Sequence, residues 1–231
     1  VMTFNTVPDY ETKSYYSVTV TVSDGSNTIN LATTINVTDV NESSISTKPD
    51  SSSVNEDTAV TFNPLDNDTI VNSGYTLVMS ASTPSHGSAV VNSNNTMTYT
   101  PSLNFFGTDT FTYTLTLGSV TSTSTVSMTI NAVNDFPIIN SLSSSIAANE
   151  NQTTIVSVNA SDIEASSLVY SISGTDSSYF DITNSGVLTF NTAPDYETPT
   201  DADKDNSYAL TVRVSDGIAA TSQAIAVVVQ N

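Results

Sequence analysis

The chain has no cysteine, no tryptophan, a single histidine and only four basic side chains, Lys13, Lys48, Lys204 and Arg213. Each shortage removes a class of function. Without cysteine there is no disulfide-built secreted scaffold. The one histidine, His86, lies in the turn composition Pro84-Ser85-His86-Gly87, which leaves no Cys–His pair and no Ser–His arrangement for nucleophilic catalysis. Against 23 acids, four bases give a formal net charge of −19. Nucleic acid and anionic membranes, both bound through basic patches, are therefore disfavoured as partners. The lack of tryptophan and scarcity of arginine weigh against a sugar-binding or hot-spot surface. No apolar run approaches the ~18 residues of a membrane-spanning helix, so membrane insertion is not expected. No signal-peptide pattern is present and Val1 falls in mid-pattern, so the chain is expected to be a piece of a longer protein.

What is abundant is Ser, Thr and Asn, with enough apolar residues (38%) for small cores. Thr suits strands; Asn, Ser and Gly suit turns. The sequence also repeats itself. Val1–Thr12 reads VMTFNTVPDYET and Val187–Thr198 reads VLTFNTAPDYET. The match resumes after an acidic insertion in the second copy, where Tyr16–Gly25 aligns with Tyr208–Gly217. Such a repeat implies an array of modules rather than one large core. The expected modules are a partial one over 1–42, a second over 43–135 and a complete third over 136–231. Tyr16, Val18, Val20 and Val22 alternate with polar residues, as a half-buried strand requires. Leu31, Ile35 and Val37 are expected core residues of the next strand. Short strands with turn signals recur along the chain, and nothing shows helical spacing. The expected fold is all-β, in tandem Greek-key sandwiches.

The acids are clustered. Hard cations take six to eight oxygen ligands, and Glu150, Asp162, Glu164, Asp195 and Glu197, all at expected strand ends, could supply such a set together. Gathering like charges without a cation is costly. Residues 1–42 and 136–231 resemble bacterial cadherin repeats. The residues carrying the resemblance are Asn149-Glu150-Asn151, Asp162 with Glu164, Asp195-Tyr196-Glu197, Val214-Ser215-Asp216-Gly217 and the linker Asp39-Val40-Asn41-Glu42. The resemblance implies Ca²⁺ bound between consecutive modules. It implies Glu150, Asp162, Glu164, Asp195 and Glu197 as ligands, joined by Asn134 and Asp135 from the preceding linker. In the opening fragment it carries over to Asp9, Glu11, Asp39, Asn41 and Glu42.

Residues 43–135 resemble bacterial Ig-like, cadherin-like repeats of giant surface adhesins, through Asn55-Glu56-Asp57, Leu65-Asp66-Asn67-Asp68, Pro84 with His86-Gly87, Thr98-Tyr99-Thr100-Pro101 and Asn104–Tyr113. By that analogy Glu56, Asp66, Asp68 and Asp109 reach a cation between modules one and two. Three departures stand out. Glu164 replaces a more usual Asp. The middle linker has Ala132 where the first has Asp39. Val229 stands at the aspartate position near the C-terminus, so no complete site is expected there. Asp201, Asp203 and Asp205 match only the first half of a calcium loop, and are either a separate site or a solvated acidic hairpin.

The resemblance implies a calcium-stiffened, non-enzymatic spacer of a bacterial cell-surface or secreted adhesin. A carbohydrate-binding or homophilic module is the alternative. The expected partners are adjacent modules of the same chain and, for residues 1–42, another copy or a parent chain that supplies missing strands. Glu150, Glu164, Asp195, Glu197, Asn134 and Asp135 are expected to enclose calcium together where modules two and three meet.

Overall fold

The computed structural model describes residues 1–40, 42–72, 74–165 and 167–231. The chain divides into two compact units. Unit 1 is Val1–Val54, Thr58–Ser102 and Thr108–Thr129; unit 2 is Asn55–Asp57, Leu103–Gly107 and Ile130–Asn231. No α-helix occurs among the described residues, and the one helical turn is a 3₁₀ turn at Ser177–Tyr179.

Unit 1 begins with a hairpin of β1 (Tyr15–Ser23) and β2 (Thr28–Asn36), paired without a break from Tyr15↔Asn36 to Ser23↔Thr28. Asp24 closes it: the backbone N–H groups of Ser26 and Asn27 donate to its Oδ1 at 2.8 and 2.7 Å, the side-chain turn that makes Asp a turn former. A sandwich follows, built from β3 (Ser44–Ser46), β4 (Asp50–Asn55), β5 (Val60–Phe62), β6 (Thr69–Val71), β7 (Leu77–Ala81), β8 (Gly87–Val91), β9 (Met97–Pro101), β10 (Gly107–Leu117) and β11 (Val120–Asn131). Its sheets run β4-β11-β10-β7, β5-β9-β8 and β3-β6. The strict Thr/apolar alternation of β10 buries Phe111, Tyr113, Leu115 and Leu117, as a period of two demands. Tyr99 stacks on Phe111 with ring centroids 5.9 Å apart. Both buried tyrosines satisfy their hydroxyls on acids: Tyr99 Oη donates to Asp109 (2.9 Å) and Tyr113 Oη to Asp68 (2.8 Å).

Unit 2 contains β12 (Ile138–Ser141), β13 (Ser145–Asn149), β14 (Thr154–Ser157), β15 (Asn159–Ser161), β16 (Val169–Ser173), β17 (Phe180–Ile182), β18 (Val187–Phe190), β19 (Ser207–Ser215) and β20 (Ala220–Gln230). A four-stranded sheet β13-β20-β19-β16 accompanies a three-stranded sheet β14-β18-β17 and the pair β12-β15. β13 lies parallel to β20, and β16 antiparallel to β19. Phe180, Phe190 and Tyr208 meet at 4.6 to 5.5 Å in the core, with Leu188, Val212, Val214 and Val227 around them. The stretch 156–160, which alternates like one strand, is broken at Val158. Its N–H donates to Gly186 O (2.8 Å), and the chain passes there from the sheet with β18 to the pairing with β12.

Leu31, expected in a core, is exposed. The cause lies in the hairpin's surroundings: among the described residues, neither β1 nor β2 pairs with any strand but the other.

Candidate metal centre

β4 ends at Asn55, and Glu56 continues its line by donating its N–H to Asn131 O (2.9 Å). Asp57 then turns the chain with φ +57°. This places the Glu56 side chain inside unit 2, where only 2% of its surface is exposed. One of its oxygens, Oε1, accepts from Val133 N (2.6 Å). The other, Oε2, is buried with no hydrogen-bond partner.

The same division recurs in its neighbours. Glu164 Oε2 accepts from Asp135 N (3.0 Å), while its Oε1 is buried and unpartnered. Asp162 Oδ1 accepts from Glu164 N and Ala165 N (3.0 and 2.8 Å), while its Oδ2 is buried and unpartnered. Asp135 Oδ2 is likewise buried without a partner. An oxygen each from Glu56, Asp135 and Glu164 lies within 4.8 Å of the others. Backbone N–H groups thus fix one oxygen on Glu56, Glu164 and Asp162 and leave the other unsatisfied. Burial, and then the charges of Glu164, Asp57 and Asp162, push the Asp135 carboxyl above its ordinary value. Buried polar atoms are nearly always paired, and buried charge is tolerated when paired or bound to metal. The donors are all carboxylate oxygens, which suits a hard cation such as calcium and not a softer metal. Asn134 does not present its amide nitrogen here; Nδ2 donates to Asp216 Oδ2 (2.8 Å) and Asp135 O (2.7 Å).

Glu150, Asp195 and Glu197 form a separate group. The single enclosure expected of these three with Glu164, Asn134 and Asp135 is therefore corrected to two. The reason is strand direction. Glu150 N donates to Gln230 O, at the open end of the β19–β20 hairpin. Asn134 is bonded to Asp216, in that hairpin's turn. Strands of nine and eleven residues at ~3.3 Å per residue separate the two ends by about 30 Å. At the Glu150 end, Tyr196 N donates to Glu150 Oε2 (3.1 Å), Glu197 N to Asp195 Oδ1 (3.0 Å) and Asn231 Nδ2 to Glu197 Oε1 (2.9 Å). Register makes Asn231, and not Val229, the counterpart of Asp39, because Tyr16↔Ile35 corresponds to Tyr208↔Val227.

In unit 1, Glu11, Asp39 and Glu42 gather. Asp9 holds Glu11 N (3.0 Å) and the Thr12 hydroxyl (2.7 Å), the same turn that Asp195 makes. Asn41 lies outside the described residues. Asp201, Asp203 and Asp205 also gather. Asp201 is buried and accepts from Asp205 N (2.8 Å) and Asn206 N (3.2 Å). The hydrogen bond to Asp201, and then the Asp205 charge, raise the Asp203 carboxyl above its ordinary value.

Asp66, Asp68 and Asp109 enter none of these groups. Asp66 accepts from Asn63 Nδ2 (2.5 Å), and Asp68 from Lys48 N (2.9 Å) and Tyr113 Oη. Asp109 accepts from Ser85 N, His86 N, Thr110 N and Tyr99 Oη. Burial raises its carboxyl, but these hydrogen bonds outweigh burial and hold it below the ordinary value. Asp68 and Asp109 are structural acids that fasten turns to buried tyrosines, and Asp66 braces its own exposed loop. Glu56 therefore keeps company with Asp135 and Glu164, not with the other middle-segment acids. The sequence offered only the shared Asn-Glu of Asn55-Glu56 and Asn149-Glu150; each dipeptide straddles the end of a strand, β4 or β13, that the fold pairs with its module's last strand, β11 or β20. Asp176, unremarked in the sequence, is buried and holds Ala202 N (3.0 Å) and Ala209 N (2.8 Å).

Fold and site together define a chain of Ig-like β-sandwich repeats with acids gathered at their ends. Residues 41–129 match the family model described as the bacterial Ig domain. The structure resembles the human desmocollin-1 ectodomain (TM-score 0.54, 16% identity, 96% of this chain and 48% of that one). It also resembles mouse protocadherin-24 EC1-3 (0.51, 17%, 96% and 81%) and human protocadherin-24 EC1-2 (0.50, 18%, 79% and 95%). The chain spans about half (48%) of the desmocollin ectodomain. No curated protein matches it in sequence. At these identities the likeness concerns fold alone: residues 41–129 match a bacterial Ig domain, and the chain has the β-sandwich fold seen in cadherin ectodomains. Among the described residues, no helix is long and apolar enough to cross a membrane.

Proposed function

We propose that the chain is a calcium-stiffened, non-enzymatic spacer segment of a bacterial cell-surface or secreted adhesin. The observation that carries this is the convergence of Glu56, Asp135 and Glu164, whose oxygens gather within 4.8 Å of one another; each of the three, and Asp162 two residues before Glu164, has one buried, unpartnered carboxylate oxygen. Glu56 directly follows β4 of the middle sandwich, Asp135 lies in the connecting segment and Asp162 and Glu164 follow β15. A cation held by Glu56, Asp135 and Glu164 would tie consecutive repeats through their linker. The linker is short and contains Pro137, whose fixed φ also restricts Phe136. The clustered acids would then repel one another in the absence of calcium and share coordination in its presence. Small-angle scattering on the 231-residue chain tests the reading. Millimolar calcium should narrow the distribution of dimensions and extend the average shape relative to EDTA, and Glu56→Gln should remove that response. Superimposable curves with and without calcium would defeat the proposal.

A further inference from the structure

A pocket of about 480 Å³ opens in unit 2 between the 3₁₀ turn at Ser177–Tyr179 and the loop that follows β18. Small-molecule sites have volumes of roughly 300–1,000 Å³. Hydrogen bonds hold both of its walls. On one side Asn191 N donates to Tyr179 O (2.9 Å) and Asn191 Nδ2 to Ser178 O (3.0 Å), which ties the turn to the end of β18. On the other side Asn151 N donates to Pro194 O (2.9 Å) and Thr198 N to Asp195 O (3.2 Å). Walls fixed in this way lose little freedom on binding, which favours affinity.

The lining is aromatic and hydroxylated. Tyr208 is 1% exposed and Tyr179 36%, and their rings meet edge to face at 5.6 Å. Tyr208 is thus the floor, and Tyr179 keeps part of its ring for a ligand. Tyr208 Oη and Thr200 Oγ1 lie 3.0 Å apart. Two hydroxyls carry two protons, and the bond between them uses one. The pair therefore still has an O–H to donate and lone pairs to accept. Thr198 adds a further hydroxyl at the rim. Among the lining residues Asp195 alone is charged, and its Oδ1 already accepts from Glu197 N. In a chain of net charge −19 this is a nearly neutral recess.

We propose that the pocket binds a neutral pyranose, one sugar unit of a glycan, and so gives the segment a ligand beyond its role as a spacer. A pyranose has a face of C–H groups and a rim of hydroxyls that both donate and accept. The C–H face stacks on the Tyr179 ring, the flat amphipathic surface that tyrosine offers where this chain has no tryptophan. The hydroxyls match Thr198, the Thr200–Tyr208 pair and the Asp195 carboxylate. An anionic sugar is repelled by Asp195 and by the field of the whole chain. A purely apolar ligand would exclude water from the hydroxyls without replacing its hydrogen bonds. Asp195 also belongs to the group with Glu150 and Glu197, but the inference rests on the pocket and not on a bound cation.

The test is a heteronuclear NMR titration of the 231-residue chain with maltotriose, cellotriose and mannotriose. Trigalacturonic acid serves as the anionic counterpart, and each probe is added both in EDTA and in millimolar calcium. At least one neutral trisaccharide should saturably shift the amides of Tyr179, Asn191, Asp195 and Thr198 by about 20 mM, enough to half-fill a site with a Kd of that order. Tyr179→Ala should weaken this binding about tenfold, and Tyr179→Phe should keep it within about twofold. Tyr15→Ala, at an exposed tyrosine of the β1–β2 hairpin, should leave it unchanged. If Tyr179→Ala lowers the unfolding temperature, Thr198→Val replaces it and should weaken binding about threefold. The absence of a saturable shift with every neutral probe in both conditions overturns the inference. So do shifts confined to residues outside the pocket, binding that survives the pocket substitution intact, and tighter binding of trigalacturonic acid than of the neutral probes.

Discussion

Glu56 and Asp109 are both buried acids of the middle segment, and they make opposite predictions. Glu56 leaves one oxygen unpartnered beside Asp135 and Glu164. Replacing it with Gln removes a ligand and a repelling charge together. Glu56→Gln should weaken calcium binding at least tenfold, about 1.4 kcal/mol, and should stabilise the chain in EDTA. Calorimetric titration and thermal unfolding read the two effects; a variant less stable than the parent in EDTA would show that Glu56 is already satisfied without a cation. Asp109 has all its partners within the fold, and its carboxyl is held below the ordinary value of 3.8. A depressed acid contributes stability above its unfolded-state value and loses it as pH falls through the lower, folded value. The middle sandwich should therefore weaken below about pH 4 partly through Asp109. Asp109→Ala should cost about 3 kcal/mol at neutral pH, since it leaves the Tyr99 hydroxyl and several N–H groups without an acceptor. The acid-induced loss should shrink accordingly in denaturant titrations at pH 7 and pH 3. The sequence shows the acids, but not which are satisfied, because satisfaction depends on N–H groups brought from distant segments, such as Ser85 and His86 to Asp109.

Elements with a long alternation were legible. β10 and the hairpin announce themselves through Thr-Phe-Thr-Tyr-Thr-Leu and Tyr-Ser-Val-Thr-Val-Thr-Val. β3 and β6 did not, because three residues with one partly buried apolar side chain carry no period. β13 has only Ile146 and Ala148 to show, and its parallel partner lies far along the chain. The break at Val158 was equally hidden, since its cause is the opposite turn. Gly186 sits there at φ +81°, and a Cβ at that position would collide with the Val158 carbonyl. Gly217, in the β19–β20 turn, has φ +100° but open space around it. Both Gly→Ala substitutions carry the left-handed strain, about 1 kcal/mol or more. Only Gly186→Ala adds a backbone clash. It should cost at least about 2 kcal/mol and exceed Gly217→Ala in denaturant midpoints; equal losses would mean that the turn at Gly186 yields freely.

At the scale of the whole chain, the internal repeat revealed the array. It did not reveal which acids share a site, because that follows from β13 running parallel to β20 and from the length of the β19–β20 hairpin. The division matters for stability. A ligand that binds only the folded state stabilises it by RT ln(1 + [L]/Kd), about 2.7 kcal/mol when calcium is at 100 times Kd. With affinities near 10⁻⁴ M, as extracellular modules show, ~10 mM calcium reaches that level. A net charge of −19 also responds to any salt through screening, so the comparison must hold ionic strength constant and include magnesium. Magnesium demands a smaller, near-octahedral shell and dehydrates reluctantly. Calcium should therefore raise the unfolding temperature of unit 2 well beyond magnesium or sodium at equal ionic strength, and Glu56→Gln should remove part of the rise while Asp109→Asn leaves it intact. Equal responses to all three cations in differential scanning calorimetry would reduce the effect to screening, and the acids of unit 2 would then be a charged surface without a bound ion.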